Sequence, residues 1–533
     1  MILLHHAAQS GNLESLKLVL ALYPESERTR AASVLDCVEN TVLHYAALSG
    51  NVKSMKAILD LYPESEQLHI VKTQTPHYGT VLHCAASSGN FEAVNFVLDF
   101  YPESELVQAL NFRDGADRSV LYYAAESGNV ECIKSILALY PESELLQAVH
   151  TQDQFGQTLL HFVAHSGNLE CFTAIFSHLS ESEGQQLLCI RDNSGGNVLH
   201  SAARKRVYGN ESKSIVGDIL SLLPESERLK MVEIQNREGS NVVHLAAESG
   251  NADGINTILS LYPESDWLRV VYSQDKAGRT VLHRAARSRS PECVRILFAL
   301  CPESEHIHAL NMRDRKGRTV LHYLVRSNDH ESTKYIIQQL TESERLLTLC
   351  MQDRLGKSVL HEAAYETHYE LLGSIITLLP EAQRLHAMTL QDQSGTTVFH
   401  HVVRLGTVES IEHILILFPE SQLLQAVCMQ DREGVTVLHR AVEAGNHTIV
   451  KCVLTLLPQS QRLRAVTMRD DNGSTLLHYI AIHRSVDRVA LVENSIALLP
   501  ESHRLQFVNM RTSVGETALH CAARAGNFEA IEI

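Results

Sequence analysis

Apolar positions along the chain follow one pattern that returns at a nearly fixed interval. A short apolar run, Val-Leu-His-x-Ala-Ala, is followed by a polar Ser-Gly-Asn stop and then by a second stretch with apolar residues at helical spacing. In the unit that spans residues 275–314, that second stretch carries Val294, Leu297 and Leu300, and Pro302 ends it. Proline suits the first turn of a new helix, so Pro-Glu-Ser-Glu begins a third, short helix. The pattern predicts helix, turn, helix and an added helical piece in each unit.

The interval is 39 residues. A Leu-His or Val-His pair marks it, with Phe-His at His400, and the spacing between successive marks is 39 residues eleven times, with single exceptions of 44 and 42. The marks are His5, His44, His83, His161, His200, His244, His283, His322, His361, His400, His439, His478 and His520, with Tyr122 in the fourth place. Helices this short are marginal alone, so each unit must bury its apolar stripe against its neighbours. The sequence therefore predicts one all-α stack of about 14 repeats over residues 1–533.

The turns between units have their own signature. In Asp275-Lys-Ala-Gly278 the Asp caps its own backbone and the Gly is free to adopt a positive φ. Thr280 then offers its hydroxyl as the N-cap of the next helix. The turn is predicted to join the third helix of one unit to the first helix of the next.

The complete run, Asp-x-x-Gly-x-Thr-Val-Leu-His-x-Ala-Ala-x-Ser-Gly-Asn-x-Glu, resembles the ankyrin repeat, whose signature is Thr-Pro-Leu-His-x-Ala-Ala followed by Gly. Val takes the place of that Pro, and the period is 39 rather than about 33 residues. The extra residues fall in the Pro-Glu-Ser-Glu-Arg-Leu segment. The resemblance implies an ankyrin-type solenoid with an extra short helix per repeat. An armadillo or HEAT solenoid has a period of about 40, but the Thr-Val-Leu-His run argues against it.

The array has four irregular places. Loop insertions are expected near residues 204–212 and 482–494, where the spacing lengthens. The chain opens at Leu4-His5 with no preceding Asp-x-x-Gly turn, and it stops at Ile533 inside a second helix. Solenoids normally end in repeats with a polar outer face, so both ends are expected to be uncapped.

Composition excludes several classes of protein. Apolar content of 44% is too high for a disordered chain, and a net charge of −16 disfavours nucleic-acid binding, which needs clustered Lys and Arg. The sequence contains no run of 18 apolar residues, so it predicts no membrane span. No signal peptide is evident at its start. The eleven scattered cysteines, without a Cys-x-x-Cys pair, indicate a reducing compartment. A cytoplasmic location is expected; the alternative is delivery into a host cell as an effector.

Catalysis is not expected, because a catalytic group is needed once and would interrupt the repeat. No Gly-x-Gly-x-x-Gly follows a strand, and neither a P-loop nor His-Glu-x-x-His occurs. The motif histidines make no metal site, because stacked repeats lie about 10 Å apart whereas ligands of one zinc lie within about 4 Å of each other. In ankyrin repeats, which this chain resembles, the equivalent His forms hydrogen bonds to the turn and to the Thr at the start of the helix. We expect no cofactor and no small-molecule substrate.

One segment departs from the acidic background. Residues 279–326 hold ten basic and four acidic residues, a net charge of +6, while the remainder of the chain carries −22. The resemblance places a concave binding face at the turn tips and on the first helices, and the basic residues in those slots are Arg279, Arg287, Arg315, Lys316, Arg318 and Arg326. We interpret them as a docking patch for an acidic or phosphorylated segment. The alternative is a solvated basic face without a partner.

A second candidate is the slot directly after the motif histidine, which holds Tyr45, Tyr123 and Phe162 in early units. Exposed aromatic rings there would anchor a peptide, whereas packing between neighbouring first helices is the alternative.

These observations favour a non-catalytic scaffold that binds partner proteins through its concave face. The alternatives are a targeting array of a larger multidomain enzyme, or of a host-directed bacterial effector, whose catalytic domain lies outside this chain, and a spacer without a specific ligand. Partners are expected to be other proteins rather than nucleic acid or membrane.

Overall fold

A computed structural model describes residues 2–75, 78–205, 214–482, 496–497 and 501–526. Within these ranges the regular secondary structure is almost entirely helical. The repeats are numbered 1 to 14 by their motif slots, from His5 to His520. The expected insertions near 204–212 and 482–494 fall mainly on residues 206–213 and 483–495, which lie outside the described residues.

From repeat 2 onward, the first helix of each repeat begins directly after a Thr, Ser or Asn. In repeat 8 the Thr280 hydroxyl accepts the backbone N–H of His283, and the His283 ring accepts the Thr280 N–H in return. The first helices are Ile2–Gln9, Val42–Leu48, Val81–Ser87, Val120–Ser127, Leu159–Ser166, Val198–Ala203, Val242–Ser249, Val281–Ser288, Val320–Arg326, Val359–Tyr365, Val398–Leu405, Val437–Glu443, Leu476–Ile482 and Ala518–Ala525.

The second helix begins at a capping residue that is usually Asn. The Asn51 side-chain oxygen accepts the N–H of Ser54, and its amide group donates to the Gly11 carbonyl of the preceding repeat at 2.6 Å. One side chain therefore both starts a helix and joins two repeats. The second helices are Leu13–Ala21, Val52–Leu59, Phe91–Leu98, Val130–Leu137, Leu169–Phe176, Val216–Ser221, Ala252–Leu259, Pro291–Ala299, His330–Gln338, Tyr369–Thr377, Val408–Leu415 and His447–Leu456.

The predicted third helix is present, and in most repeats it starts immediately after the slot proline. Glutamates in its first turn interact favourably with the helix dipole. Three of these helices open with a 3₁₀ turn: Glu103–Glu105, Glu264–Asp266 and Glu303–Glu305. The α-helices are Glu25–Ala32, Glu64–Val71, Leu106–Leu110, Glu142–His150, Glu181–Cys189, Glu225–Glu233, Trp267–Tyr272, His306–Asn311, Glu342–Leu349, Glu381–Met388, Glu420–Val427, Gln459–Thr467 and Glu501–Val508.

Three consecutive repeats lack glycine where the first helix ends. Arg289, Asn328 and Thr367 occupy this position, and their φ angles are 62°, 56° and 62°. The equivalent Gly128 and Gly250 have φ angles of 71° and 79°. These three residues therefore adopt the left-handed conformation that glycine adopts in this slot of most described repeats, and a β-branched Thr is the most strained choice. Repeat 11 differs, because its Gly406 is extended with a φ of −83°.

Strand structure in the described residues is confined to the arms of the turns. Gln74–Thr75 pairs antiparallel with Gly79–Thr80, with Gln74 opposite Thr80. Other turns show a single bridge at the same place, such as that between Gln352 and Ser358. The arms of each turn thus close just before the next first helix begins.

The chain divides into two compact units, residues 1–267 and 268–533. Each unit is a stack of the same repeat, in which successive first helices pack on one another and the second helices pack behind them. In repeat 8, Val281, Leu282 and Ala285 of the first helix and Val294 and Leu297 of the second are at most 1% exposed. The core of each unit is therefore the sum of these small cores. None of the described helices is both long enough and apolar enough to cross a bilayer.

Candidate partner-binding face

In most described repeats the motif histidine forms a hydrogen bond to the next repeat. In repeat 8 the Nδ1 of His283 contacts the Thr280 hydroxyl at 2.8 Å, and its Nε2 contacts the Arg318 carbonyl oxygen at 3.2 Å. His322 repeats this arrangement with Thr319 and the Lys357 carbonyl. The residue type repeats because each turn needs a group that caps its own helix and also reaches the next turn.

The hydrogen bonds fix the proton on this ring. The Thr280 backbone N–H donates to Nδ1 of His283, so Nδ1 is unprotonated and Nε2 carries the hydrogen that it donates onward. Burial of the ring lowers the pKa of His283 to about 4, and the Arg318 carbonyl opposes the shift only in part. His283 is thus a neutral structural group at pH 7.

Repeat 4 uses tyrosine in this slot. The Tyr122 hydroxyl lies 2.8 Å from the Thr151 carbonyl oxygen and 2.7 Å from that of Gln157. It therefore preserves the connection to repeat 5 without a titratable imidazole. Ser119, the N-cap residue of this helix, has a buried hydroxyl without a partner among the described residues, because the ring nitrogen that would meet it is absent.

The turn aspartates organise the loops ahead of the first helices. Oδ1 of Asp314 accepts the N–H groups of Lys316 and Arg318, each at 2.8 Å, while its Oδ2 accepts the Tyr323 hydroxyl at 2.8 Å. One buried carboxylate thus determines the shape of the whole turn. Its conformation leaves the two residues after the Asp, here Arg315 and Lys316, at the tip.

Successive turn tips are joined backbone to backbone. Within residues 268–533 the Arg315 N–H donates to the Ala277 carbonyl at 2.8 Å, and the Arg354 N–H donates to the Lys316 carbonyl at 2.9 Å. The bond recurs at Gln393, Arg432, Asp471 and Ser513. The turn glycine permits this approach, since a Cβ on Gly356 would lie 2.7 Å from the Gln393 nitrogen.

Cations stand side by side on three neighbouring tips of this array. We use the name turn-tip row for Lys276, Arg315, Lys316 and Arg354, whose side chains are all exposed. Among the described residues none of the four makes an ion pair. The row holds four unneutralised positive charges on a backbone fixed by cross-repeat hydrogen bonds.

Lys276 and Arg354 are absent from the sequence prediction, although both occupy tip slots that it defined. Lys276 lies three residues before the basic segment 279–326, and Arg354 lies 28 residues after it. The two residues after the turn Asp of every repeat, taken over the whole chain rather than over residues 279–326, include both of them.

Two predicted patch residues are directed into the turns instead. Arg279 is 18% exposed in its side chain and its Nε lies 2.8 Å from Oδ2 of Asp275. Arg318 is 17% exposed, 3.9 Å from Oδ2 of Asp353 in the next repeat. Burial acts to raise the pKa of Asp275, but the Arg279 N–H and the Arg284 guanidinium outweigh it and hold that pKa below its usual range. Arg279 and Arg318 mainly neutralise buried carboxylates.

Arg326 is paired as well, although it is half exposed. Its guanidinium lies 3.5 Å from Glu362 and 3.7 Å from Glu366, both in repeat 10. Burial raises the pKa of Glu362, and Arg318, Arg326 and Lys357 oppose the rise. These acids lie 36 and 40 residues beyond Arg326, so they escape a local count of charge. Arg287 is exposed and has interactions of its own.

The aromatic slot packs between helices more than was expected. Tyr123 is 3% exposed, its hydroxyl donates to Asp114 at 2.7 Å, and its ring meets His83 edge to face at 5.3 Å. The premise that this slot exposes its rings is therefore wrong for Tyr123. Tyr45 and Phe162 are partly exposed, and Tyr45 is tied to Asp36 by a 2.6 Å hydrogen bond.

Metal ligands and cysteine thiols are the remaining candidate groups among the described residues. No group of three or more His, Cys, Asp or Glu side chains in this part of the chain could hold a metal ion. All eleven cysteines are free thiols, and burial raises the pKa of most of them, to about 11 at Cys132 and Cys293. Such thiols stay protonated and are weak nucleophiles.

Family models agree with this geometry. A model for ankyrin repeats in three copies matches residues 64–145 and 215–307, and a model for ankyrin repeats in many copies matches residues 121–175. No curated protein matches the sequence. Ankyrin repeats are generally modules for protein–protein interaction and are typically non-catalytic. Residues 64–175 and 215–307 therefore carry ankyrin repeats.

Proposed function

We propose that the chain is a non-catalytic scaffold that binds acidic or phosphorylated protein segments through the turn-tip row. The observation that carries the proposal is the set of four exposed cations, unpaired among the described residues, on tips that the backbone hydrogen bonds hold in line. A preformed array loses little conformational entropy on binding. Arginine adds planar donor geometry that suits carboxylate and phosphate.

The remaining candidate residues have secondary places in this proposal. Arg287 and Arg326 flank the row on the exposed side of the first helices, whereas Arg279 and Arg318 support the turns from within. Tyr45 and Phe162 are candidates for a separate apolar contact in residues 1–267. The free cysteines support a reducing, cytoplasmic setting.

The proposal is tested by fluorescence anisotropy with three labelled peptides: one rich in Glu, one carrying phosphoserines, and one neutral. The test variant combines Arg315→Glu, Lys316→Glu and Arg354→Glu. A matched control combines Lys17→Glu, Lys53→Glu and Lys56→Glu, which makes the same change of net charge on exposed second-helix positions of residues 1–267.

We expect the wild type to prefer the charged peptides, and the test variant to bind them at least about tenfold more weakly than the control. Equal binding by the two variants would refute the turn-tip row as the site. Stronger binding of the neutral peptide would refute recognition by charge.

A further inference from the structure

The net charge is divided unequally between the two units. Residues 1–267 contain 17 Lys and Arg against 33 Asp and Glu, so they carry the entire net charge of −16. Residues 268–533 contain 29 of each and are neutral, although they hold the turn-tip row. The chain thus has an excess of acid in one unit and a local excess of base in the other.

The acid in residues 1–267 has a regular arrangement. Each third helix there opens with glutamates in its first turn, where the helix dipole favours them. Some have partners, since Glu105 pairs with Lys72 and Glu227 with Lys230. We use the name acidic stripe for the exposed members without an ion pair among the described residues: Glu25, Glu27, Glu64, Glu66, Glu103, Glu142, Glu144, Glu181, Glu225 and Glu264.

The two charge rows have the same period. The acidic stripe advances once per repeat, and so does the turn-tip row. Stacked helices lie about 8–10 Å apart, so an acid on one row can face a cation on the other over several consecutive repeats. A flexible acidic peptide has no such fixed spacing. Matched periodicity is the feature that selects a second copy of this chain over an unrelated acidic partner.

We infer that the chain self-associates, with the turn-tip row of one copy docked on the acidic stripe of a second copy. The inference rests on the proposed function, because it uses the same cations and names their partner. The contact joins different surfaces of the two copies, so each dimer keeps one free row and one free stripe. Association of this type continues beyond the dimer unless the geometry closes a ring.

The experiment is sedimentation velocity on the full chain across a range of concentrations, in buffers of low and high salt. We expect the mass to rise with concentration at about 0.02 M salt, and the apparent dissociation constant to weaken at least tenfold at about 0.5 M salt, where charges are screened within about 4 Å.

Two variants make the test specific. The row variant carries Arg315→Glu, Lys316→Glu and Arg354→Glu, and the stripe variant carries Glu103→Lys, Glu142→Lys and Glu181→Lys. We expect each to be monomeric alone, while an equimolar mixture associates, because the intact row of one then meets the intact stripe of the other. Circular dichroism checks that both retain their helicity.

A monomeric wild type in low salt overturns the inference. Association that does not respond to salt, or to either set of substitutions, also overturns the inference. Failure of the two variants to associate when mixed overturns it as well. Peptide binding separates this failure from failure of the proposed function, since the stripe variant keeps its turn-tip row and still binds the acidic peptides if only self-association is wrong.

Discussion

Acid should unfold this protein well above the pH at which its carboxylates are protonated. Burial lowers the pKa of seven motif histidines to about 4, whereas an unfolded histidine titrates near 6.5. These residues are His44, His83, His200, His283, His322, His400 and His439. Their lowered pKa stabilises the fold above pH 6.5, and this stability is lost as the pH falls toward 4, because only the unfolded chain takes up the protons.

The magnitude follows from the shift. At pH 5.5 each such histidine lowers the free energy of unfolding by about 1–1.5 kcal/mol, and the seven together lower it by on the order of 10 kcal/mol. That sum is as large as the stability of a typical domain, about 5–15 kcal/mol. Aspartates with lowered pKa, such as Asp275 and Asp431, lose their contribution only near pH 4 and below, so the range from 6.5 to 5 isolates the histidines.

Repeat 4 supplies the matched substitution, since Tyr122 fills the slot and keeps the bond to the next repeat. We expect His283→Tyr, His322→Tyr and His400→Tyr, combined, to remove about 4 kcal/mol of the loss between pH 7.5 and 5.5. Conversely, Tyr122→His adds a titrating group and should increase acid sensitivity. Urea unfolding followed by circular dichroism at several pH values measures both. Parallel stability curves for wild type and the triple variant would refute the titration of buried imidazoles as the cause.

Three further predictions concern single positions, each measured by urea unfolding. Gly395→Ala should destabilise the fold more than Gly515→Ala does. Both glycines have positive φ, but only at Gly395 would the new Cβ lie 2.6 Å from a backbone nitrogen, that of Arg432. Equal losses of unfolding free energy would exclude the close approach as the cause. Thr367→Gly should stabilise the fold by about 1 kcal/mol, because it removes the strain of a β-branched residue in the left-handed conformation. The control Thr377→Gly, at an exposed helical position, should destabilise the fold. Glu362→Gln should stabilise at pH 7 and lose this advantage toward pH 4, because a raised carboxyl pKa favours the fold only when the group is protonated; the same gain at both pH values would contradict the assignment.

The helices could be predicted from the sequence because their signals are local. The capping Thr280, the slot proline Pro302 and the apolar spacing around Leu297 each lie within a few residues of the feature they determine. The left-handed position of Arg289 also follows from the period, since glycine occupies that slot elsewhere.

Whether each candidate residue is exposed, buried or paired could not be predicted, because this depends on contacts between repeats. Arg318 meets Asp353 across 35 residues and Arg326 meets Glu362 across 36, so a count of charge along the chain treats paired cations as free. Tyr123 is buried by His83 of the preceding repeat, which no pattern within its own helix indicates.

The histidine link has a consequence for how such a chain changes length during evolution. Each bond runs from the ring of one repeat to the main-chain carbonyl of the next, as from His283 to Arg318, His322 to Lys357 and His361 to Thr396. The acceptor is a main-chain atom, so this hydrogen bond needs no matching side chain in the repeat that follows. Gain or loss of one 39-residue segment therefore leaves an acceptor for the histidine at the new junction. Such a gene can lengthen by duplication while the surface of each repeat diverges independently.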